Sequence, residues 1–151
     1  MLLSLLTLTS EVIAHMVIQG LSEHEDKATK NVCICILYRA LLGENELAIV
    51  FRDVYPVASL HTLTIPKRHV SEYFDLYQPE LNAINQLINE VRNAILLADD
   101  TVEGFNIGTN AGEVSGQTVF HCHVHLIPRR QGDTASPRGG VRGVIADKQD
   151  Y

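Results

Sequence analysis

The chain has 151 residues, of which 46% are hydrophobic and 20% charged, a composition typical of one globular domain. Its formal net charge of -6 argues against general nucleic-acid binding, and no apolar stretch is long enough for a membrane span. The three cysteines give no disulfide framework and, without a convincing signal peptide, they predict a cytoplasmic protein.

The sequence divides into an N-terminal segment and one folded domain. We predict that residues 1–31 are a divergent segment, helical or partly disordered, and that residues 32–151 form the domain with its Gly/Arg-rich C-terminal tail. The domain opens with an apolar stretch at residues 32–42 that fits a helix or a strand equally well.

The periodicity of the domain predicts several strands and one long helix. Glu46–Arg52 and Leu60–Ile65 predict two strands. A helix should begin near Pro79, because its apolar positions recur at helical spacing: Leu81, Ile84, Leu87, Ile88, Val91 and Ile95. Gly104–Thr109 and Thr118–Pro128 predict two further strands. Strands that flank one helix without βαβ alternation indicate an α+β domain on an antiparallel sheet.

The last predicted strand carries three histidines at alternate positions, His121, His123 and His125. In a strand these side chains would share one face. Two chemistries remain open for such a row. A His-x-His pair, about 7 Å apart, can share a metal ion, whereas the outer pair, about 13 Å apart, cannot easily do so. Alternatively, a neutral imidazole can accept a phosphoryl or nucleotidyl group and pass it to water. Ser115–Thr118 would then supply hydrogen-bond donors for the phosphate.

Two motifs resemble those of a known family. His121–Pro128 resembles the histidine triad (HIT) signature, His-x-His-x-His followed by apolar residues, and Gly116–Val119 is similar to the fragile histidine triad and related bacterial hydrolase branch. Leu60–His69 resembles the family's second motif, Gly-His-x-Leu-x-Ile-Pro-Lys-x-His. The resemblance covers residues 32–151. It implies a HIT-like fold, an antiparallel sheet of about five strands with one long and one or more short helices, typically paired as a homodimer.

The resemblance also implies an activity and a nucleophile. It implies a nucleotidyl hydrolase that cleaves at the α-phosphate of a nucleoside phosphate conjugate, such as a dinucleoside polyphosphate or a nucleoside phosphoramidate, and needs no cofactor. His123 matches the residue that carries the nucleotidyl intermediate, and His121 and His125 match its neighbours. His61 matches the fourth site histidine.

Four further residues match substrate contacts of the family. Asn110 matches an amide that binds phosphate near the leaving group, and Gln117 and Thr118 match other phosphate contacts. Asp53 matches the polar residue that holds the ribose hydroxyls, although an Asp that merely initiates a turn is the competing interpretation. Arg138 or Arg142 in the basic tail is also expected to help hold phosphate.

The chain departs from the family pattern in two places. Leu60 stands where the family often has glycine before the fourth histidine. Cys33 and Cys35 lack the Cys-x-x-Cys spacing that joins histidines in the zinc site of some bacterial members, so a structural zinc is not expected. His69, at the end of its motif, is expected on the surface or in a cap.

Three alternative functions remain. They are a metal-binding or metal-dependent hydrolase that uses His121, His123 and a cysteine, a nucleotidyltransferase, and a non-catalytic nucleotide-binding protein.

Overall fold

A computed structural model describes residues 41–150. The predictions for residues 1–31, for Cys33 and Cys35, and for most of the apolar stretch at residues 32–42 lie outside the described residues.

The described residues form a five-stranded antiparallel sheet, which confirms the predicted α+β class and strand number. The strands are paired in the order β1-β2-β3-β5-β4. Their bounds are β1 Leu41–Glu44, β2 Ala48–Arg52, β3 Thr62–Pro66, β4 Val102–Gly108 and β5 Val124–Arg130. The short helices are 3-10 turns at Tyr73–Asp75, Glu113–Ser115 and Gly140–Val144.

One helix, α1 at Gln78–Ala98, packs on one face of the sheet. The apolar positions predicted to face the core do so: Ile84, Leu87, Ile88, Val91 and Ile95 are buried and Leu81 is partly buried. They meet Val50 of β2 and Val124 and Leu126 of β5 in one hydrophobic core. α1 is not long and apolar enough to cross a membrane, and the same holds for every helix between residues 41 and 150.

The first turn of α1 is fixed by a buried carboxylate. Glu80, only 5% exposed, accepts hydrogen bonds from Arg68 on both oxygens, at 2.8 and 2.7 Å. The backbone N–H of Tyr77 also donates to Glu80, at 2.8 Å. These contacts lower the pKa of Glu80 chiefly through the Arg68 hydrogen bond. The hydrogen bonds from Arg68 to Glu80 connect the segment after β3 to the first turn of α1. They thereby fix the position of His69, the residue after Arg68.

The residues at the two ends of the connection between β2 and β3 lie next to each other in the structure. Arg52 pairs with Thr62, and the N–H of Asp53 donates to the carbonyl of His61 at 3.0 Å, so the two site candidates lie side by side. Leu60, which replaces the family glycine, has φ +69 and therefore keeps the left-handed backbone that glycine adopts easily. Its carbonyl accepts hydrogen bonds from Arg52 at 2.7 Å and from the Thr62 hydroxyl at 2.9 Å.

The histidine strand begins six residues later than predicted, at Val124 instead of Thr118. Before that point the chain bonds elsewhere, because the N–H of Cys122 donates to the carbonyl of Val70 at 2.7 Å. His121 and Cys122 are both buried, so two-residue alternation fails there. From Cys122 onward burial alternates as in a strand, with Val124 packed on the α1 side. His123 and His125 thus point to the other side of the sheet, and the predicted row of three on one strand face is wrong for His121.

Candidate active site

A backbone contact fixes the tautomer of the His123 ring. Its Nδ1 lies 2.8 Å from the backbone carbonyl oxygen of His121, and a carbonyl can only accept, so Nδ1 carries the proton. In the neutral ring the lone pair is then on Nε2. The Thr109 hydroxyl donates to the carbonyl of His123 at 2.7 Å and fixes the backbone beneath the ring. His123 therefore has the tautomer that an attacking imidazole needs, without a metal.

His61 and His125 form a hydrogen-bonded pair beside His123. Nε2 of His61 lies 3.0 Å from Nδ1 of His125, and the two rings stack with centroids 5.1 Å apart. The His125 ring in turn meets the His123 ring edge-on, with centroids 5.2 Å apart. Behind this pair, Nδ1 of His61 lies 3.2 Å from a carboxylate oxygen of Asp53. Three of the four predicted site histidines are thus brought together, with Asp53 beside His61.

Burial keeps His61 and His125 neutral. It lowers the pKa of His61, while the charge of Asp53 acts in the opposite direction. For His125, burial first and then the neighbouring His123 and His61 lower the pKa to about 4, again against a raising effect of Asp53. At pH 7 the His125 ring therefore has an unprotonated nitrogen that can accept a proton.

His121 is turned away from this group and contacts His69 instead. Its Nε2 lies 3.0 Å from the carbonyl of Pro66 and must donate to it, which leaves the lone pair on Nδ1. That Nδ1 lies 3.2 Å from Nδ1 of His69. His121, 6% exposed, therefore fastens the histidine segment to the end of β3. His69 was expected on the surface or in a cap; it is partly exposed and also packs against a triad histidine.

The loop before the histidines is braced by Gln117. This side chain is 2% exposed, accepts from the N–H of Gly112 at 2.8 Å, and donates to the carbonyls of Ser71 at 2.7 Å and Val119 at 3.1 Å. The Gln117 amide therefore makes three protein contacts, and the phosphate contact expected of it stays a prediction. The neighbouring Thr118 is exposed. Asn110 is partly exposed, and its amide makes no hydrogen bond within residues 41–150.

Among the described residues, one group of side chains could hold a metal ion. Asp53, His61 and His125 each offer a ligand atom, and these atoms lie within 4.8 Å of one another. However, His61 lies between the other two and uses a different ring nitrogen for each, so a single ion cannot replace both contacts. The expected set of His121, His123 and a cysteine does not form such a group with Cys122, whose buried thiol has its pKa raised to about 11.

The basic tail folds largely onto itself. The Arg142 guanidinium donates to the carbonyls of Gln149 at 3.3 Å and Lys148 at 3.1 Å. The amide of Gln149 donates in turn to the carbonyls of Ser136 and Arg138, at 3.1 and 2.9 Å. Arg142 thus braces the tail, and the phosphate contact expected of Arg138 or Arg142 stays a prediction.

Sequence reasoning missed two residues that support the site, Thr109 and His69. Thr109 reaches His123 only because β4 pairs with β5 so that Gly108 is opposite His125. No local pattern encodes that pairing. His69 carried a signal, its place in the second family motif, but its partner is 52 positions away.

Comparison with known proteins gives one consistent result. A family model described as HIT domain matches residues 37–132. An uncharacterized HIT-like protein of Mycoplasma genitalium is 40% identical over 88 residues, which cover 58% of this chain and 62% of that protein. A protein of Arabidopsis thaliana named adenylylsulfatase is 30% identical over 115 residues, 72% of this chain and 58% of that one. The chain thus spans less than two thirds of the length of these two relatives. The crystal structure of a HIT family protein from Bacillus anthracis matches with a TM-score of 0.63 at 36% identity, over 74% of this chain and 78% of that one.

Proposed function

The chain belongs to the HIT domain family, whose members are generally nucleotide hydrolases or transferases, and from this premise we propose that it hydrolyses a nucleoside phosphate conjugate at the α-phosphate. His123 is the proposed nucleophile. The observation that carries the proposal is the contact of His123 Nδ1 with the carbonyl of His121, which leaves the lone pair on Nε2.

The reaction takes place in two displacements. Nε2 of His123 forms a bond to the α-phosphorus, and the bond to the leaving group breaks with its electron pair on the leaving group. The nucleotidyl-imidazolium keeps its proton on Nδ1, where the carbonyl of His121 stabilises the positive charge. Water then attacks the phosphorus and gives up a proton to solvent, and the electron pair of the P–N bond returns to Nε2.

The substrate contacts are proposed from the motif resemblance and from the exposure of the side chains. We assign phosphate binding to the Asn110 amide and the Thr118 hydroxyl, and sugar hydroxyl binding to Asp53, whose side chain is 12% exposed. Gln117 positions the loop that presents Thr118. A carboxylate suits a vicinal diol because it can accept from both hydroxyls.

A substrate panel with His123 variants tests the proposal. The panel holds a dinucleoside polyphosphate, a nucleoside phosphoramidate and adenylyl sulfate, the last because one relative is named an adenylylsulfatase. We expect release of the nucleoside monophosphate by the wild type and a loss of at least about 10³-fold in kcat for His123→Gly. Added free imidazole should restore part of the turnover of this variant, because it can enter the vacated space.

Phe120→Ala is the matched control, since Phe120 is 50% exposed and lies three residues away. It should keep turnover within about threefold. Undiminished turnover by His123→Gly would overturn the nucleophile assignment.

The other expectations stay predictions. Hydrolysis should need no cofactor, so that a chelator leaves kcat/KM unchanged, whereas a metal-dependent hydrolase would lose activity. Release of nucleotide to an acceptor other than water would indicate a transferase. A homodimer and a cytoplasmic location are the family expectations for the chain.

A further inference from the structure

We propose that Thr109 is a positioning residue for the nucleophile, since its hydroxyl fixes the backbone that carries the His123 ring. The inference rests on the proposed function, in which Nε2 of His123 forms the bond to phosphorus. Thr109 lies directly after β4, outside both motifs that resemble the family. Its role is therefore a property of this chain that the motif resemblance does not contain.

The backbone carbonyl of His123 lies just outside the sheet. β5 begins at Val124, the next residue, and its pairing with β4 ends where Gly108 is opposite His125. The hydroxyl of Thr109, the residue after Gly108, donates to the His123 carbonyl at 2.7 Å. A side chain thus supplies a donor to a backbone group at the point where the strand pairing has stopped.

Hydrogen bonds hold the His123 backbone on both sides. On the N-terminal side, the N–H of Cys122 donates to the carbonyl of Val70 at 2.7 Å. On the C-terminal side, the carbonyl of His123 accepts from Thr109. Between these two anchors, Nδ1 of the ring reaches the carbonyl of His121 at 2.8 Å. The two backbone contacts therefore set the direction of the Cα–Cβ bond of His123 and, with it, the position of Nε2.

Thr109 acts on the His123 ring through the backbone and not by contact with the substrate. Its hydroxyl lies beside the thiol of Cys122, a residue that is 1% exposed and belongs to the hydrophobic core under α1. Burial raises the pKa of this thiol to about 11, and the hydrogen bond with the Thr109 hydroxyl acts in the opposite direction. The His123 ring instead meets the ring of His125 on the other side of the sheet. Thr109 is thus a positioning residue and not a catalytic one.

An attacking imidazole is sensitive to small displacements, because a misplacement of about 1 Å at the reacting groups can cost on the order of 10²-fold in rate. Without the Thr109 hydroxyl, the His123 carbonyl loses its donor and turns toward water. Nε2 then leaves the in-line position in part of the molecules, while the groups that bind the substrate stay in place. Loss of the hydroxyl should therefore lower kcat and leave KM nearly unchanged.

Thr109→Val tests this role, because valine keeps the β-branched shape of the side chain and lacks only the donor. We expect kcat on the substrate panel to fall about 10-fold and KM to stay within about twofold of the wild type. Thr109→Ser keeps a hydroxyl at the same position, so its kcat should stay within about threefold of the wild type. A valine variant with wild-type kcat, or a serine variant no faster than the valine variant, would overturn the proposal.

Thr64→Val is the matched control, since it makes the same change at another threonine of the sheet. Thr64 of β3 is opposite Val124 and fully buried, and its hydroxyl has no hydrogen-bond partner within residues 41–150. No contact is lost, so kcat should stay within about twofold of the wild type, and the urea midpoint should not fall. An equal loss of kcat in Thr64→Val and Thr109→Val would mean that any such change in the sheet slows the enzyme, and would contradict a specific role of Thr109.

A spectroscopic test needs no substrate and so stands apart from the proposed function. Imidazole ¹⁵N chemical shifts of the free protein should place the proton of His123 on Nδ1 in the wild type, in Thr109→Ser and in Thr64→Val. In Thr109→Val the displaced ring should lose part of its contact with the His121 carbonyl, so a fraction of the rings should carry the proton on Nε2. An unchanged tautomer in Thr109→Val would overturn the positioning role. Absence of turnover by the wild type would instead count against the proposed function, and the ¹⁵N shifts would still decide the role of Thr109.

Discussion

At the residue scale, the hydrogen-bond partner of each triad histidine determines which of its ring nitrogens is occupied. His121, His123 and His125 are alike in sequence, but each has a different partner: a backbone carbonyl of β3, a carbonyl two residues back, and the ring of His61. The motif resemblance predicts His123 as the nucleophile, and this assignment stays a prediction. The resemblance could not predict these partners, because they depend on the pairing of distant strands.

The buried imidazoles make folding stability depend on pH. The pKa of His125 is lowered to about 4, chiefly by burial, and that of His61 is also lowered, whereas unfolded histidines titrate near about 6.5. Between these values the unfolded chain binds more protons than the folded one, so the free energy of unfolding falls as pH drops from about 6.5 toward 4. His125→Asn should therefore lose less stability than the wild type between pH 7 and pH 5.

Urea denaturation at the two pH values measures this difference. An equal loss in both proteins would show that His125 does not titrate abnormally, and Asp100→Asn should behave as the wild type does.

At the scale of elements, the helix was predicted well and the histidine strand was not. α1 begins at Gln78, one residue before the predicted Pro79, and its buried apolar positions recur at helical spacing as predicted. The alternation at Thr118–Pro128 showed which residues could form a strand but not where pairing begins. Pairing starts at Val124, since the preceding segment bonds to Val70 and is braced by Gln117.

The connection into β3 carries a testable backbone feature. Leu60 has φ +69, which costs a residue other than glycine about 1–2 kcal/mol, while its partly buried side chain packs on the core. In Leu60→Gly, relief of that cost offsets the lost packing and the added chain entropy, so the free energy of unfolding should change by less than about 1 kcal/mol. Leu60→Val puts a β-branched side chain in the same conformation and should destabilise by about 2 kcal/mol.

Urea denaturation of both variants checks this order. A Leu60→Val protein as stable as the wild type would mean that the left-handed backbone before His61 is not retained.

At the scale of the whole molecule, one face of β5 packs in the hydrophobic core and the other carries the candidate site. Val124 and Leu126 pack on the α1 side, and His123 and His125 occupy the opposite face with His61 and Asp53. The α+β class followed from the periodicity, whereas the fifth strand, β1, followed only from the motif resemblance, because the apolar stretch at residues 32–42 fits a helix or a strand equally well. The Asp53–His61–His125 chain did not follow from it, because it requires the registers of β2, β3 and β5 together.

The stereochemical course at the α-phosphorus tests the covalent role of His123 most directly. A substrate with a chiral phosphorothioate at this position is hydrolysed in ¹⁸O-labelled water, and the configuration of the product is determined. Each in-line displacement inverts the phosphorus, so attack by His123 followed by attack of water predicts net retention. Net inversion would mean that water attacks the substrate directly, and it would contradict the nucleotidyl-histidine intermediate.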